Sequence, residues 1–178
     1  MAGPPEAHQF KHAYADRWVR FHSLPESKRY PEDETEYAIV LDRYNTILDE
    51  LFAGDDVYVV TTDWSPLPWG RRRPTLRRRL HSEGVLWTTV DDTEDTDPHF
   101  HTRSFHYADR RPWRRGCLDR LLREVADDGI ALFVTDAGLQ RIHHPYDGGA
   151  DVILADPAER DRLRERHVPW LSAHPGGF

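Results

Sequence analysis

Several residue types are almost missing from this sequence, and each shortage restricts what the protein can be. Only one of its 178 residues is cysteine. That single residue, Cys117, excludes an intrachain disulfide and favours a reducing compartment. No apolar run approaches the ~18 residues of a membrane span, and the N-terminus, MAGPPEAHQF, lacks the segments of a signal peptide. We therefore expect a cytoplasmic protein that does not enter a membrane.

Lysine is also scarce, since arginine supplies 22 of the 24 basic residues. The net charge of −7 disfavours non-specific binding to nucleic acids, because such binding usually requires a basic face. The charge is unevenly placed: six arginines fall within residues 71–79, and five acids fall within residues 91–97. Because arginine replaces lysine throughout the chain, the arginine cluster is only a weak indication of a binding patch.

The strongest pattern in the chain runs from Tyr30 to Phe52. Its apolar residues recur at the three- and four-residue spacing of one helical face. Pro31 suits the first helical position, and the acids after it complement the positive N-terminus of a helix. The pattern predicts a helix from Pro31 to Phe52 that stops before Gly54.

Shorter patterns fill the rest of the chain. The spacing of Phe10, Tyr14 and Trp18 predicts a short helix. A second amphipathic helix, which would bury Cys117, is predicted from Pro112 to Asp127. Strands are predicted at residues 57–62, 85–90, 100–107, 130–135, 139–144 and 150–155, with an extended segment at 20–24. Residues 63–74 read as a loop, residues 75–80 as a short helix, and residues 156–167 as a helix capped by its first residue.

This order of elements predicts the α+β class. We expect a mainly antiparallel sheet of about five to six strands, with a long N-terminal helix, a middle helix and a C-terminal helix packed on it. Residues 1–8 show no periodicity, which predicts a disordered N-terminus. Residues 9–178 are expected to form a single α+β domain.

Three segments carry a resemblance to a known family. They are RFHSLPESKRYPEDETEYAIVLDRYNTILDELF, DVYVVTTDW, and HHPYDGGADVIL with the helix after it. In these segments, from about Trp18 to the C-terminus, the chain resembles the bacterial domain-of-unknown-function family DUF3885. The resemblance implies a fold and a cytoplasmic location, and it assigns no catalytic residues.

The motif HHPYDGGAD is the best catalytic candidate. Two imidazoles and two carboxylates, from His143, His144, Asp147 and Asp151, could perform acid–base chemistry or hold a divalent ion. Consecutive residues of a strand face opposite ways, however, and Asp-Gly-Gly is what a tight hairpin turn requires on backbone grounds. Turn formation therefore explains most of this motif.

Two other candidates concern metals and thiol chemistry. His99 and His101 could share one face of a strand and bind a metal, whereas His106 would lie on the opposite face. The simpler interpretation is that they are polar residues of an exposed edge. Cys117 and Arg123 have the spacing of a phosphatase loop, but the leucines between them form a helical stripe, so we do not expect phosphatase chemistry.

Two further candidates concern binding. The turn before the long helix carries Arg20, Lys28 and Arg29, which could bind an anion at the helix N-terminus. The acids that follow favour local pairing and a structural role. A loop carries Trp64, Trp69, Arg71, Arg72 and Arg73, the composition of interface hot spots. An equally simple interpretation is that both tryptophans pack on the core and form no interface.

These observations favour binding over catalysis. The leading hypothesis is a small acidic protein, with an immunity-like or accessory role, that binds a protein partner through the Trp/Arg loop. The alternative is a small-molecule enzyme or metal-binding protein that uses the late hairpin. We predict no cofactor, and the oligomeric state is left open.

Overall fold

The computed structural model describes residues 9–68 and 75–172, with the side chains of residues 75 and 76 excepted. Residues 1–8, for which disorder was predicted, lie outside this range. The helices are α1 (Phe10–Ala13), α2 (Glu34–Phe52), α3 (Thr75–Leu80), α4 (Asp119–Ala126) and α5 (Pro157–Arg166). The strands are β1 (Trp18–His22), β2 (Asp56–Pro66), β3 (Val85–Asp92), β4 (Thr102–Pro112), β5 (Ala131–Thr135), β6 (Ile142–Tyr146) and β7 (Gly149–Ile153).

The seven strands form one sheet in the order β1-β7-β6-β5-β2-β4-β3, and all neighbours are antiparallel. The fold class is therefore α+β, as predicted, with seven strands instead of five to six. Short links join β5 to β6 and β6 to β7, whereas β2 takes its partners β4 and β5 from much later in the chain. Such distant pairing is invisible to a local pattern.

The main core lies between the sheet and the helices α2, α4 and α5. Alternate residues of the central strands, including Val57, Val59, Leu132 and Val134, point into it. Helix α2 covers them with a stripe of buried side chains. These are Val40, Tyr44, Ile47, Leu48, Leu51 and Phe52. The predicted role of this helix as the cover of the central strands is confirmed.

The start of α2 differs from the prediction. The helix begins at Glu34, and the Asp33 carboxylate accepts a hydrogen bond from the backbone N–H of Glu36 at 2.9 Å. Pro31 therefore lies outside the helix instead of at its first position. An aspartate with extended backbone is a strong N-cap because it satisfies an amide that has no intrahelical acceptor.

The opposite side of the sheet, which we call the open face, has a smaller core. Phe10 of α1 packs edge-on against Phe133 at 5.4 Å between ring centroids, next to Val60 and Ile142. The prediction that Trp18 continues this helix is wrong, because Trp18 begins β1. The side chains of β2 alternate between the two cores.

Strands β2 and β4 are longer than predicted. Their pairing continues to Pro66 opposite Thr102, so Trp64 lies in a strand and not in the predicted loop. His99 and His101 fall before β4, in and after a short 3-10 turn. Aspartate, serine and proline in residues 63–66 favour a loop, and eleven paired residues of β4 override that preference.

The middle helix starts later than predicted. Strand β4 extends to Pro112, turns follow, and α4 begins at Asp119. Cys117 is consequently exposed instead of buried on a helical stripe. Gly116, with φ +82°, permits the turn before the helix.

The C-terminal part of the chain follows its local signals closely. Strands β6 and β7 are joined by Asp147 and Gly148, and Gly148 has φ +88°. Asp156 caps α5 by accepting a hydrogen bond from the Glu159 N–H at 2.8 Å. In the part of the chain that the structure describes, no helix has both the length and the apolar character that a membrane crossing demands.

Candidate functional site

The candidate cations near β1 and the candidate acids of the late hairpin bind one another. Arg20 donates hydrogen bonds of 2.8 and 3.1 Å to the two carboxylate oxygens of Asp151. Arg29 donates to Asp147. We call these two ion pairs the clasp. Lys28 instead pairs locally with Glu36 at 2.7 Å, so all three candidate cations of the anion site have carboxylate partners.

The Arg20–Asp151 pair lies on the open face and is largely covered. The side chains are 16% and 6% exposed. The guanidinium stands 5.4 Å from the Trp18 ring and 5.3 Å from the Tyr146 ring. Burial is the largest single effect and opposes its charge, but the hydrogen bonds to Asp151 and the attraction of its carboxylate together outweigh burial and raise the pKa of Arg20. Two aromatic rings and a bidentate carboxylate therefore hold an ionised pair in place.

The two histidines of the hairpin are separated by the sheet. His143 faces α2 and is fully buried, with its ring 5.8 Å from that of Tyr44. Burial lowers the pKa of His143 to about 3, and the neighbouring His144 adds to this effect. His144 lies on the open face in register with Asp151. The structure thus brings His144 and Asp151 together and removes His143 from them.

The histidines around β4 also divide. His99 is exposed, His101 bonds the backbone oxygen of Asp95 through Nε2 at 2.8 Å, and His106 is buried. The His106 ring bonds Thr62 at 3.0 Å and Ser104 at 3.1 Å, and burial lowers its pKa. Within residues 9–68 and 75–172, no group of three His, Cys, Asp or Glu side chains is placed to hold a metal ion.

A further histidine, His81, was not singled out from the sequence. Its Nδ1 bonds the Thr61 hydroxyl at 2.9 Å, and its Nε2 bonds the Asp109 carboxylate at 2.5 Å. A hydroxyl, an imidazole and a carboxylate in a row resemble a catalytic triad in composition. Thr61 and His81 are 2% and 0% exposed, however, so no substrate reaches them. The row joins the end of α3 to β2 and β4.

The open face carries two exposed tryptophans. Trp64 is 54% exposed, so the alternative in which it packs beneath a loop is wrong. The other residues of the predicted Trp/Arg site, Trp69, Arg71, Arg72 and Arg73, lie outside the described residues. Trp87 is 51% exposed and is the extra residue of a β-bulge between Leu86 and Thr88.

Trp87 borders an apolar cleft of about 240 Å³ on the open face. We call it the Trp87 cleft. Its lining comes from β2, β3, β4, β5 and the loop after β5: Tyr58, Val60, Trp87, Ala108, Phe133, Thr135, Asp136, Ala137 and Leu139. No local pattern in the sequence indicated it, because the cleft is assembled from four separate stretches of the chain.

A comparison with known protein families assigns this chain to one of them. The chain matches the model described as "Domain of unknown function (DUF3885)" over residues 7–175. No curated protein and no solved structure matches it. The match spans nearly the whole chain and includes α2, the clasp and the Trp87 cleft. The protein belongs to the DUF3885 family.

Proposed function

We propose that this protein acts by binding another protein, which places an apolar side chain in the Trp87 cleft. The observation that carries the proposal is the half-exposed indole of Trp87 beside a cleft lined mainly by apolar residues. Exposed tryptophans next to concave apolar surface are typical of interaction hot spots. Trp64 adds a second exposed indole farther along β2 on the same face.

The size of the cleft supports a side chain as its occupant. At about 240 Å³ it is smaller than the ~300–1,000 Å³ pockets that enclose drug-sized ligands. A single large apolar side chain of a partner would fill it. The partner's remaining contacts would then spread over the sheet surface towards Trp64.

Catalysis at the late hairpin has less support. Of its four candidate residues, His143 is sealed beneath α2, while Asp147 and Asp151 are bound by arginines. His144 alone lines a smaller cleft of about 120 Å³, together with Trp64 and Tyr146. That arrangement offers an imidazole beside aromatic surface, which suits binding as well as acid–base chemistry.

The proposal is tested by co-purification from the source cells with tagged wild-type protein and a Trp87→Ser variant. Val168→Ser is the matched control, since Val168 is also exposed, at 59%, and lies in the turn after α5. A specific partner should be retained by the wild type and by Val168→Ser. Its affinity for Trp87→Ser, measured with the purified partner, should fall by about 30-fold or more.

The thermal midpoint of Trp87→Ser should stay close to that of the wild type, because half of the indole is already in water. Equal partner affinity for Trp87→Ser and the wild type would contradict the proposal. So would native mass spectra that show a small molecule bound to the wild type and absent from the variant, since that result favours a ligand-binding protein.

A further inference from the structure

Strand β3 is one of the two edge strands of the sheet. It is the last strand in the sheet order, and its backbone pairs with β4 alone in the part of the chain that the structure describes. The other edge, β1, likewise pairs with β7 alone there, but its apolar side chains Val19 and Phe21 are buried. An open edge presents unpaired N–H and C=O groups that can pair with a strand of another chain.

The N-terminal half of β3 carries no charged side chain at this edge; pairing is restricted only by the β-bulge at Trp87 and by Asp91 and Asp92 at the end of the strand. Val85, Leu86 and Trp87 are 70%, 37% and 51% exposed. Natural edge strands usually carry charged residues or proline at such positions, which discourage pairing with other chains. Three consecutive exposed apolar residues at an edge therefore point to a surface that is covered by a partner strand.

The charges around β3 are arranged with opposite signs at its two ends. Before the strand, Arg78 and Arg79 are exposed, and Glu83 offsets one of them. After it, four exposed acids follow: Asp92, Glu94, Asp95 and Asp97. None of these arginines or four acids forms an ion pair with a residue that the structure describes. Along the chain, the segment is therefore basic before β3, apolar at the start of the strand and acidic after it.

We infer that β3 is a homodimerisation edge, at which two copies of this chain pair antiparallel about a two-fold axis near Thr88. Antiparallel pairing sets the acidic end of each copy against the basic end of the other, twice in one interface. It also sets Leu86 of one copy opposite Val90 of the other. Parallel pairing would bring acids against acids.

The dimer would join two seven-stranded sheets into one continuous sheet. Two short strands bury less than the ~1,200 Å² of a standard interface, so we expect a dissociation constant on the order of micromolar. Trp87 belongs both to this edge and to the cleft of the proposed function. The two proposals are separable by experiment because charge reversal at the ends of β3 leaves Trp87 unchanged, and Trp87→Ser leaves those charges unchanged.

Charge reversal at the two ends of β3 provides the test, with sedimentation velocity as the measurement. One variant makes both ends basic: Asp92→Lys, Glu94→Lys and Asp95→Lys. A second makes both ends acidic: Arg78→Glu and Arg79→Glu. Each alone should dimerise at least about tenfold more weakly than the wild type, because like charges then face each other twice. An equimolar mixture should recover a dimer, since its ends are complementary.

The control variant is Arg162→Glu with Arg164→Glu, which changes two exposed arginines on α5 and should leave the dimer unchanged. Circular dichroism establishes that every variant is folded. A wild type that stays monomeric at high concentration would overturn the inference. So would a dimer that survives both charge reversals, or a mixture of the two variants that stays monomeric.

Discussion

His143 is a polar side chain in an apolar environment. It is fully buried between β6 and α2, and neither ring nitrogen has a hydrogen-bond partner among the described residues. Its titratable neighbours are Tyr44 and His144. Burial lowers its pKa to about 3 from an ordinary value of 6.5. The folded protein therefore keeps this imidazole neutral at pH values where an unfolded chain would charge it.

This difference predicts a loss of stability in acid. Below about pH 6.5 the unfolded chain takes up a proton at His143 that the folded chain refuses until about pH 3. The free energy of unfolding should thus decrease by up to about 1.4 kcal/mol for each pH unit within that window. We expect His143→Leu to remove this part of the decrease, as measured by urea unfolding from pH 7 to pH 4.

The comparison requires a histidine whose loss should not matter. His99 is exposed and serves this purpose. His99→Leu should follow the pH dependence of the wild type. If His143→Leu follows it too, the buried imidazole is not a source of the acid sensitivity.

At the scale of single elements, the first turn of α2 combines two kinds of support. The Asp33 carboxylate caps the Glu36 amide, and the Glu36 carboxylate accepts hydrogen bonds from Lys28 and from the backbone N–H of Glu32. These contacts fix the turn that leads from β1 into the helix. They also account for two of the acids at the start of this stretch, Asp33 and Glu36.

The cap makes a prediction that separates the observed start of α2 from the start expected from the sequence. Asp33→Ala should lower the free energy of unfolding by about 1 kcal/mol, whereas Asp33→Ser, which keeps an acceptor, should change it much less. Thr35→Ala is the control and should have little effect, because Thr35 is exposed in the same turn of the helix. A larger loss from Thr35→Ala than from Asp33→Ala, measured by urea unfolding, would contradict this assignment.

The elements that the sequence predicted well are those with local causes. The helical stripe of α2, the cap at Asp156 and the turn at Asp147-Gly148 need only neighbouring residues, and each appears in the structure. Residues 63–66 and 108–112 form strands because β2 and β4 pair with each other across the sheet. Local composition could not show this.

The same contrast holds for the candidate sites. Period-two alternation correctly indicated that His143 and His144 face opposite sides of the sheet. The partners of Arg20 and Arg29 lie 131 and 118 residues away, and the Trp87 cleft draws on four separate stretches of the chain. These contacts depend on strand order, which no local pattern encodes.

At the scale of the whole molecule, the clasp joins the beginning of the described chain to its last hairpin. Its two ion pairs differ in the exposure of the arginine: Arg20 and Asp151 are 16% and 6% exposed, whereas Arg29 and Asp147 are 63% and 10% exposed. Removing one partner of a buried pair leaves a charge without compensation, while exposed pairs contribute little. The two pairs should therefore contribute very differently to stability.

We expect Asp151→Asn to lower the free energy of unfolding by about 2–4 kcal/mol, somewhat less than for a fully buried pair because Arg20 retains some access to water. Arg29→Gln, at the pair whose guanidinium is exposed, should cost clearly less than Asp151→Asn. Urea unfolding at neutral pH measures both changes. The double variant Arg20→Met with Asp151→Leu should recover much of the loss, because it leaves no lone charge between Trp18 and Tyr146. If that double variant is as unstable as Asp151→Asn, side-chain packing at this site, and not the balance of its charges, stabilises the contact between β1 and β7.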